Sequence, residues 1–395
     1  MKTESVNAIE GKISIILRRN ENAPACVEVT SSRPVHAAKF LIGKTPEQAL
    51  SIIPMLFSIC GVAQSCAAIS CIEQQLQLEN APGIHHARDL LVLAETAREH
   101  LLRIFLDWPR LFELEVNQQK LPFLSSLVND FKSALFEQGQ AFSLDSNMHD
   151  DISVAEALID QLDCYLQDQV FCIPLQQWLE FKTVDSLHNW SKLTDCLAAH
   201  SILTICEHGW TTQGFCQLGQ LPELNQQQLL DRFNAENASQ FIQQPDWQGK
   251  QYETTSLSRQ FNHPLIACLH REFDTSLITR WVARLVELAQ IPQQMRALLQ
   301  TINNTDNTQD AHSGQSAISQ VEAARGRLIH HVKIEQQLIT NYQILAPTEW
   351  NFHPQGLIAQ SLVNIKAKDE QELKQLIRIM INAIDPCVGY HLDII

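Results

Sequence analysis

The chain has 395 residues, of which 45% are hydrophobic and 18% are charged, and its formal net charge is −15. A chain of this length buries enough apolar surface for one large core or two domains. Its acidity argues against nucleic acid and anionic membranes as partners. No secretory signal pattern is present, and Pro54, Gly61 and Gln64 interrupt the most apolar run, residues 51–72, so no membrane span is expected.

Eleven cysteines are present, and most of them lie within apolar runs. An odd number of cysteines without a disulfide-framework spacing is typical of reduced thiols, most of them small core residues. The sequence therefore predicts a cytoplasmic protein.

Apolar periodicity predicts a mainly helical α+β fold with two small strand pairs. Alternating residues indicate strands at 13–17 and 25–29, and a β-hairpin at 328–334 and 338–345. Segment 217–251, rich in Gln and Asn, is expected at the surface, and the polar segment 303–316 is expected to be a mobile loop. Apolar residues spaced three and four apart predict helices at 86–107, 123–138, 152–169, 193–208, 276–290 and 370–383.

Three cysteines near the N-terminal third, Cys60, Cys66 and Cys71, suggest a metal site, but their spacing does not form a local clamp. On a helix Cys60 and Cys66 would stand about 120° apart. Cys66 and Cys71 are therefore interpreted as core thiols. For Cys60 a core role and a ligand role both stay open, because Gly61 allows close backbone approach.

Cys387 precedes His391 by four residues, a spacing that would suit zinc on a helix, although Pro386 and Gly389 argue against a continuous helix there. The neighbouring histidines His330 and His331 cannot chelate one ion side by side, because adjacent side chains point apart. One of those two histidines is expected at the strand surface.

Six short matches resemble the large subunit of nickel–iron hydrogenases, in the same order along the chain. They include Ile59-Cys60-Gly61-Val62, Glu322-Ala323-Ala324-Arg325-Gly326 and Asp385-Pro386-Cys387. The resemblance covers 10–106 and 253–395, two halves that should pack together. Residues 107–250 carry no match and are expected to form a helical insertion within one large-subunit-like domain spanning 1–395.

In that family, two Cys-x-x-Cys pairs bind nickel and an iron that carries cyanide and carbon monoxide. Cys60 and Cys387 correspond to the first cysteine of each pair. Ala63 and Tyr390 replace the second cysteines. Three other family positions also differ: the proton-transferring glutamate falls at Lys39, a histidine falls at Ala67, and the histidine marking a maturation cut falls at Asp393, with no cleavable tail expected.

These replacements imply a protein that is not an enzyme and binds no nickel. Bridging thiolates hold both cations of a dinuclear site, whereas Ala cannot coordinate and Tyr is a poor ligand for soft metals. Position 39 also lacks a carboxylate to move protons. The resemblance thus predicts that the chain does not oxidise hydrogen.

The family residues that face the diatomic ligands are kept. Arg325 and Thr348, next to Pro347, correspond to the groups that hydrogen-bond cyanide, and both are suitable donors to an anion. Taken alone, Arg325 could form an ordinary turn salt bridge and Thr348 could be a capping hydroxyl. Together with Cys60 and Cys387, they resemble hydrogenase accessory proteins of the HupK/HoxV type.

That resemblance implies a scaffold holding an iron–cyanide–carbonyl precursor for transfer to a hydrogenase large subunit. HypC-type and HypD-type maturation proteins are the further partners it implies. Two alternatives stay open: a metal-free docking protein for maturation factors or hydrogenase subunits, and an enzyme with a repurposed mononuclear iron site.

Overall fold

The structure is a computed structural model that describes residues 11–20, 23–33, 37–57, 59–78, 82–304 and 318–395. Within these ranges, no helix combines the length and the apolar character needed to cross a membrane. Most of the predicted loop at 303–316 lies outside the described residues, while positions 303 and 304 end a long helix.

Helices make up most of the described chain, as the sequence predicts. Those of the first half are α1 (Pro46–Leu56), α2 (Gly61–Leu76), α3 (Pro82–Leu102), α4 (Trp108–Leu111), α5 (Leu121–Leu135), α6 (Ser153–Leu166), α7 (Leu175–Leu179), α8 (Val184–Leu193) and α9 (Leu197–Glu207). Those of the second half are α10 (Gln226–Asn234), α11 (Ala238–Gln243), α12 (Ser256–Gln260), α13 (Pro264–Phe273), α14 (Leu277–Asn304), α15 (Pro347–Asn351), α16 (Leu357–Val363) and α17 (Glu370–Ile384). Two wide π-helical turns, Arg103–Asp107 and Gln167–Phe171, extend α3 and α6.

The strands form three small sheets, with orders β2-β1-β8, β3-β4 and β5-β6-β7. The strands are β1 (Ile13–Asn20), β2 (Ala23–Ser31), β3 (Gly219–Gln220), β4 (Tyr252–Glu253), β5 (Ile318–Ala323), β6 (Gly326–Glu335), β7 (Leu338–Leu345) and β8 (Tyr390–Ile394). Both predicted strand pairs are present. Sequence patterns did not indicate β5 and β8, each of which adds a third strand to a predicted pair.

The first sheet joins the two ends of the described chain. Strand β8 runs parallel to β1, with Ile13 opposite Tyr390 and Leu17 opposite Ile394. Alternate residues of β1, Ile13, Ile15 and Leu17, are buried against the helical core. Because β8 follows Cys387 by only a few residues, this pairing fixes the C-terminal cysteine against the body of the protein.

The sheet of β5, β6 and β7 is covered on both faces. His330 bonds Gln64 of α2 on one side (2.8 Å), and the ring of Phe233 of α10 lies 5.5 Å from that of His331 on the other. Both histidines are at most 1% exposed. The prediction that one of them faces solvent is therefore wrong, because α2 covers the sheet on the side of His330 and α10 covers it on the side of His331.

Residues 217–251 are more deeply packed than their composition indicates. Their polar residues face outward, but an apolar cluster joins α10 and α11 to the sheet of β5–β7 through Phe233, Phe241 and Trp247. The prediction of a surface segment thus holds only for the Gln and Asn side chains. Widely spaced apolar residues were enough to cover the sheet.

The two longest helices, α3 and α14, pack together in the largest core cluster. Helix α14 continues through Pro292 to Asn304, beyond its predicted end at 290, because Ile291, Met295 and Leu299 extend its buried face. Residues 107–250 enter the same core: Trp108 stacks on Trp281 of α14 with ring centroids 4.2 Å apart.

The helix predicted at 193–208 is present as α9, but it begins at Leu197, four residues later than predicted. Helix α8 ends at Leu193, and Thr194 and Cys196 both have extended backbone angles. The Cys196 sulfur then accepts a hydrogen bond from the backbone N–H of Ala199 (3.4 Å). This cap starts α9 at Leu197.

Candidate functional site

Two cysteines 327 positions apart in the numbering line one narrow cavity. Cys60 directly precedes α2, and Cys387 follows α17 after the left-handed residue Asp385 (φ 66°) and Pro386. The cavity has a volume of ≈ 10 Å³, which is room for about one water molecule. Its lining comprises Cys60, Gln64, Ala323, Ala324, Arg325, Leu328, Ala346, Pro347 and Cys387.

Thr348 lies directly against Cys387. Its Oγ1 is 2.9 Å from the Cys387 sulfur and accepts a long hydrogen bond from the Cys387 backbone N–H (3.5 Å). Pro347, at the first position of α15, fixes the backbone angle that begins this short helix and presents its ring to the cavity. The hydroxyl predicted to face a diatomic ligand therefore lies at one of the two sulfurs.

Arg325 occupies the tight turn between β5 and β6 and is 3% exposed. Its Nη2 donates to Glu99 (3.0 Å) and its Nε lies 3.4 Å from Asp385. Its Nη1 is buried and has no hydrogen-bond partner among the described residues. Burial opposes the charge on Arg325, but the carboxylates of Asp385 and Glu99 outweigh it and raise the pKa of the guanidinium.

A glycine requirement fixes the position of this arginine. Gly326 has φ +125°, and a Cβ at that position would stand 2.0 Å from the Thr254 carbonyl oxygen. Only glycine tolerates both the backbone angle and the close approach. The Asn351 side chain then donates to the carbonyl of Arg325 (3.2 Å), which fixes the turn against α15.

A cluster of buried charges lies behind the cavity, and the sequence did not reveal it. Asp385 contacts Arg103 (2.8 Å), Arg325 (3.4 Å) and Arg284 (3.9 Å). Burial alone would raise the pKa of Asp385, but these guanidinium groups hold it below its ordinary value. Asp385 therefore stays ionised and orients Arg325 toward the sulfurs.

Cys60 is held by a chain of hydrogen bonds running from the cavity into the sheet. Gln64 Nε2 donates to its sulfur (3.7 Å), and Gln64 Oε1 bonds His330 Nε2 (2.8 Å), whose Nδ1 meets the Tyr342 hydroxyl (2.8 Å). Burial lowers the pKa of His330 to about 3, so the ring is neutral. A neutral ring that donates to Gln64 must accept from Tyr342, which gives the chain one direction.

The electrostatics keep the Cys60 thiol protonated in the metal-free protein. Burial raises its pKa, the neighbouring Cys387 and Glu95 raise it further, and Arg325 opposes them. Glu95 accepts from the backbone N–H groups of Val62 and Ala63 (both 2.9 Å) and so caps α2 beside the cavity. Burial raises the pKa of Glu95 to about 7 despite these two bonds.

Other sequence candidates lie away from this cavity. Cys66 and Cys71 are buried within apolar clusters, as interpreted from their spacing. His391 is largely exposed on β8, where it meets Asp393 (3.1 Å), and it does not join Cys387. Lys39 is exposed. Within the described ranges, no group of three or more His, Cys, Asp or Glu side chains is placed to hold a metal ion.

The sequence did not predict some residues of the site, although the spacing of one of them could have indicated it. Gln64 lies four residues after Cys60, the spacing at which side chains meet on one helix face. His330 and Glu95 come from distant elements, and nothing in their local sequence marks them as neighbours of a thiol.

The helical core with small sheets matches the fold of hydrogenase large subunits. The Ni-Fe-Se hydrogenase from D. vulgaris Hildenborough in the reduced state aligns with a TM-score of 0.64 over 93% of this chain and 94% of that chain, at 16% identity. The Ni-Fe-Se hydrogenase from Desulfomicrobium baculatum gives a TM-score of 0.60 over 93% and 95%, at 13% identity.

The sequence model of nickel-dependent hydrogenases matches residues 188–390, more than half of the chain. The chain therefore belongs to the nickel-dependent hydrogenase family. This match begins within the segment 107–250, where short motifs alone indicated no resemblance.

Two relatives of nearly equal length carry accessory-protein names. The hydrogenase expression/formation protein HoxV of Cupriavidus necator is 26% identical over 92% of this chain and 92% of its own length. The hydrogenase expression/formation protein HupK of Bradyrhizobium diazoefficiens is 26% identical over 94% and 92%. The resemblance to the HupK/HoxV type, inferred from short motifs, is thus confirmed over nearly the whole chain.

Proposed function

We propose that this protein is a non-catalytic scaffold in nickel–iron hydrogenase maturation, which transiently holds an iron ion carrying cyanide and carbon monoxide. The names of its relatives support the maturation role. One observation supports the proposed iron cargo. Cys60 and Cys387 line one cavity with Arg325, whose buried Nη1 lacks a hydrogen-bond partner among the described residues.

The donor set fits such a cargo chemically. Thiolates are ligands for iron, and the guanidinium of Arg325 and the hydroxyl of Thr348 are donors suited to cyanide nitrogen. Burial raises the pKa of Cys60, so two adjacent thiolates are unfavourable unless a cation compensates them. Iron binding supplies that charge and releases the thiol protons.

The cavity is smaller than the proposed cargo. A volume of ≈ 10 Å³ holds about one water molecule and excludes an iron ion with three diatomic ligands. Loading therefore requires lining residues to move apart. Release of the cargo would require the same opening.

The same site lacks what hydrogen oxidation requires. Ala63 and Ala67 stand at the family's ligand and histidine positions, are fully buried, and offer no donor atom. Two thiols in place of four leave no bridging ligands for nickel. Fewer bonds also mean weaker retention, so iron delivered by HypC-type and HypD-type proteins passes on to a hydrogenase large subunit.

Infrared spectroscopy of protein purified without oxygen, from cells that express the maturation proteins, tests this proposal. We expect cyanide and carbonyl stretching bands in the native protein and their loss in Cys60→Ala and in Cys387→Ala. Cys66→Ala is the matched control, because Cys66 is a buried thiol of α2 that does not line the cavity. Bands that persist in both cavity variants would refute the cargo site.

A docking protein without metal is the second candidate, and one observation favours it. Phe40 and Met55 expose large apolar side chains, at 68% and 81% of their surface. Contiguous exposed apolar patches mark protein-binding surfaces, and these two residues belong to elements that pack against each other, Ala37–Leu41 and α1. Absence of both bands from the native protein, together with retained binding to a large subunit in a pull-down, would favour this function.

A further inference from the structure

A second pair of cysteines meets far from the cavity, in the part of the chain between 107 and 250. Cys172 ends the π-helical turn Gln167–Phe171 in a left-handed conformation (φ 53°), and Cys196 caps α9. Both are free thiols. Neither has a role in the proposed cargo site.

The two sulfurs converge on the same turn of backbone. The Cys172 thiol donates to the Asp168 carbonyl (3.5 Å), and the Cys196 thiol donates to the Val170 carbonyl, two residues further on (2.9 Å). Elements separated by α7 and α8 thus place the two thiols against carbonyls of the same turn of backbone.

Buried aromatic residues hold the backbone beside the pair, whereas one of its thiols is open to solvent. The indole N–H of Trp190 donates to the Phe171 carbonyl (3.0 Å), and both of these aromatic side chains are buried. Cys172 is exposed and Cys196 is only partly exposed. A reagent in solution therefore reaches Cys172 first.

We propose that Cys172 and Cys196 form a reversible redox site, a dithiol that closes to an intramolecular disulfide in exchange with a small disulfide of the glutathione class. The Cys172 thiolate attacks one sulfur of that disulfide, whose S–S bond breaks. One half stays bound to Cys172, and the other leaves as a thiolate that takes up the proton Cys172 has lost.

Cys196 completes the reaction. Its thiolate attacks the Cys172 sulfur, the mixed disulfide breaks, and the second half leaves and takes up the second proton. The net result is two protein thiols oxidised and one small disulfide reduced to two thiols. Attack by Cys196 is favoured because both sulfurs are held at the same turn of backbone.

The order of the two steps follows from the surroundings of Cys196. Burial raises the pKa of Cys196 to about 12, the Ala199 N–H opposes this, and the neighbouring Cys172 raises it further. Cys172 is exposed and Cys196 only partly exposed, so Cys172 is the attacking thiol and Cys196 the resolving thiol.

Peptide mapping by mass spectrometry of the full-length protein, equilibrated in glutathione buffers of increasing oxidised fraction, tests the site. In wild type we expect a cross-link between the Cys172 and Cys196 peptides, with loss of two hydrogen atoms, reversed by excess reduced glutathione. In Cys196→Ser we expect a glutathione adduct to accumulate on Cys172, because no resolving thiol remains.

Cys164→Ser is the matched control: it removes an exposed thiol of α6 and should leave the cross-link intact. The wild-type measurement requires no variant to fold. The proposal would be overturned if Cys164 took up glutathione while Cys172 and Cys196 stayed unlinked. So would a cross-link that forms only in urea. Neither outcome affects the cargo site, which is tested by other residues.

Discussion

Two pairs of thiols meet in this protein, and their surroundings differ. Cys60 and Cys387 come from distant segments and line a narrow cavity beside a guanidinium and buried carboxylates. Cys172 and Cys196 come from one region and lie against backbone carbonyls, with Cys172 exposed. Each pair consists of two cysteine side chains.

The different surroundings of the two pairs are the basis of the two proposals. We propose cation binding for the pair with charge partners, because its thiolates need compensation and Cys387 is buried. We propose exchange with small disulfides for the other pair, because Cys172 is exposed. The predictions below test this contrast, beginning with the largest expected effect.

Arg325→Met should cost about 3–5 kcal/mol of unfolding free energy, because it removes one partner from buried charges and leaves Glu99 and Asp385 less compensated. Urea unfolding measures the loss. Arg296→Met is the control, since Arg296 is 41% exposed in its pairs with Asp160 and Asp163 and should contribute only about 0–1 kcal/mol. Equal losses in the two variants would contradict a buried charge cluster at the cavity.

His330 should make the folded state sensitive to acid. Burial lowers its pKa from 6.5 to about 3, so below pH 6.5 the unfolded chain binds a proton that the folded chain does not. The contribution of the neutral histidine to the free energy of unfolding is complete above pH 6.5. It is lost as the pH falls, and the loss reaches about 2 kcal/mol at pH 5. Urea unfolding between pH 7 and 5 should give a steeper decline for wild type than for His330→Gln. Parallel curves would show that the histidine does not titrate on unfolding.

The two pairs of thiols should differ in their rates of alkylation. Iodoacetamide should label Cys172 faster than Cys387 by a factor on the order of ten or more, because about 1.4 kcal/mol of local opening slows labelling tenfold. Cys387 is 9% exposed and Cys172 is open to solvent. Mass spectrometry of reduced, native protein measures both rates, and unfolding in urea should remove most of the difference. Similar rates in the native protein would mean that the cavity opens freely.

Thr348→Val should have the smallest effect, a loss of about 1 kcal/mol, because it removes the hydroxyl contact with the Cys387 sulfur at 2.9 Å. Thermal unfolding monitors this change. Thr348→Ser keeps the hydroxyl and should recover part of the stability. If serine behaves like valine, the methyl group of Thr348 matters more than its hydroxyl.

Local patterns predicted most of the elements correctly where one face of an element is buried. The hairpin of β6 and β7 and the helix α17 follow from periodicity over neighbouring residues. The prediction failed where burial depends on a distant partner. His331 is buried because α10 lies across its strand, and residues 194–196 are not helical because the Cys196 sulfur caps α9.

The sequence by itself determined the family resemblance, the helical character, and which ligand positions carry Cys60 and Cys387 and which carry Ala63 and Tyr390. Those properties reside in residue identity and short spacing. Only the tertiary structure decided which thiols meet, because contacts between distant segments depend on packing. The pairing of β8 with β1, the glycine turn at Gly326 and the buried charge of Asp385 together place two sulfurs and a guanidinium around one cavity.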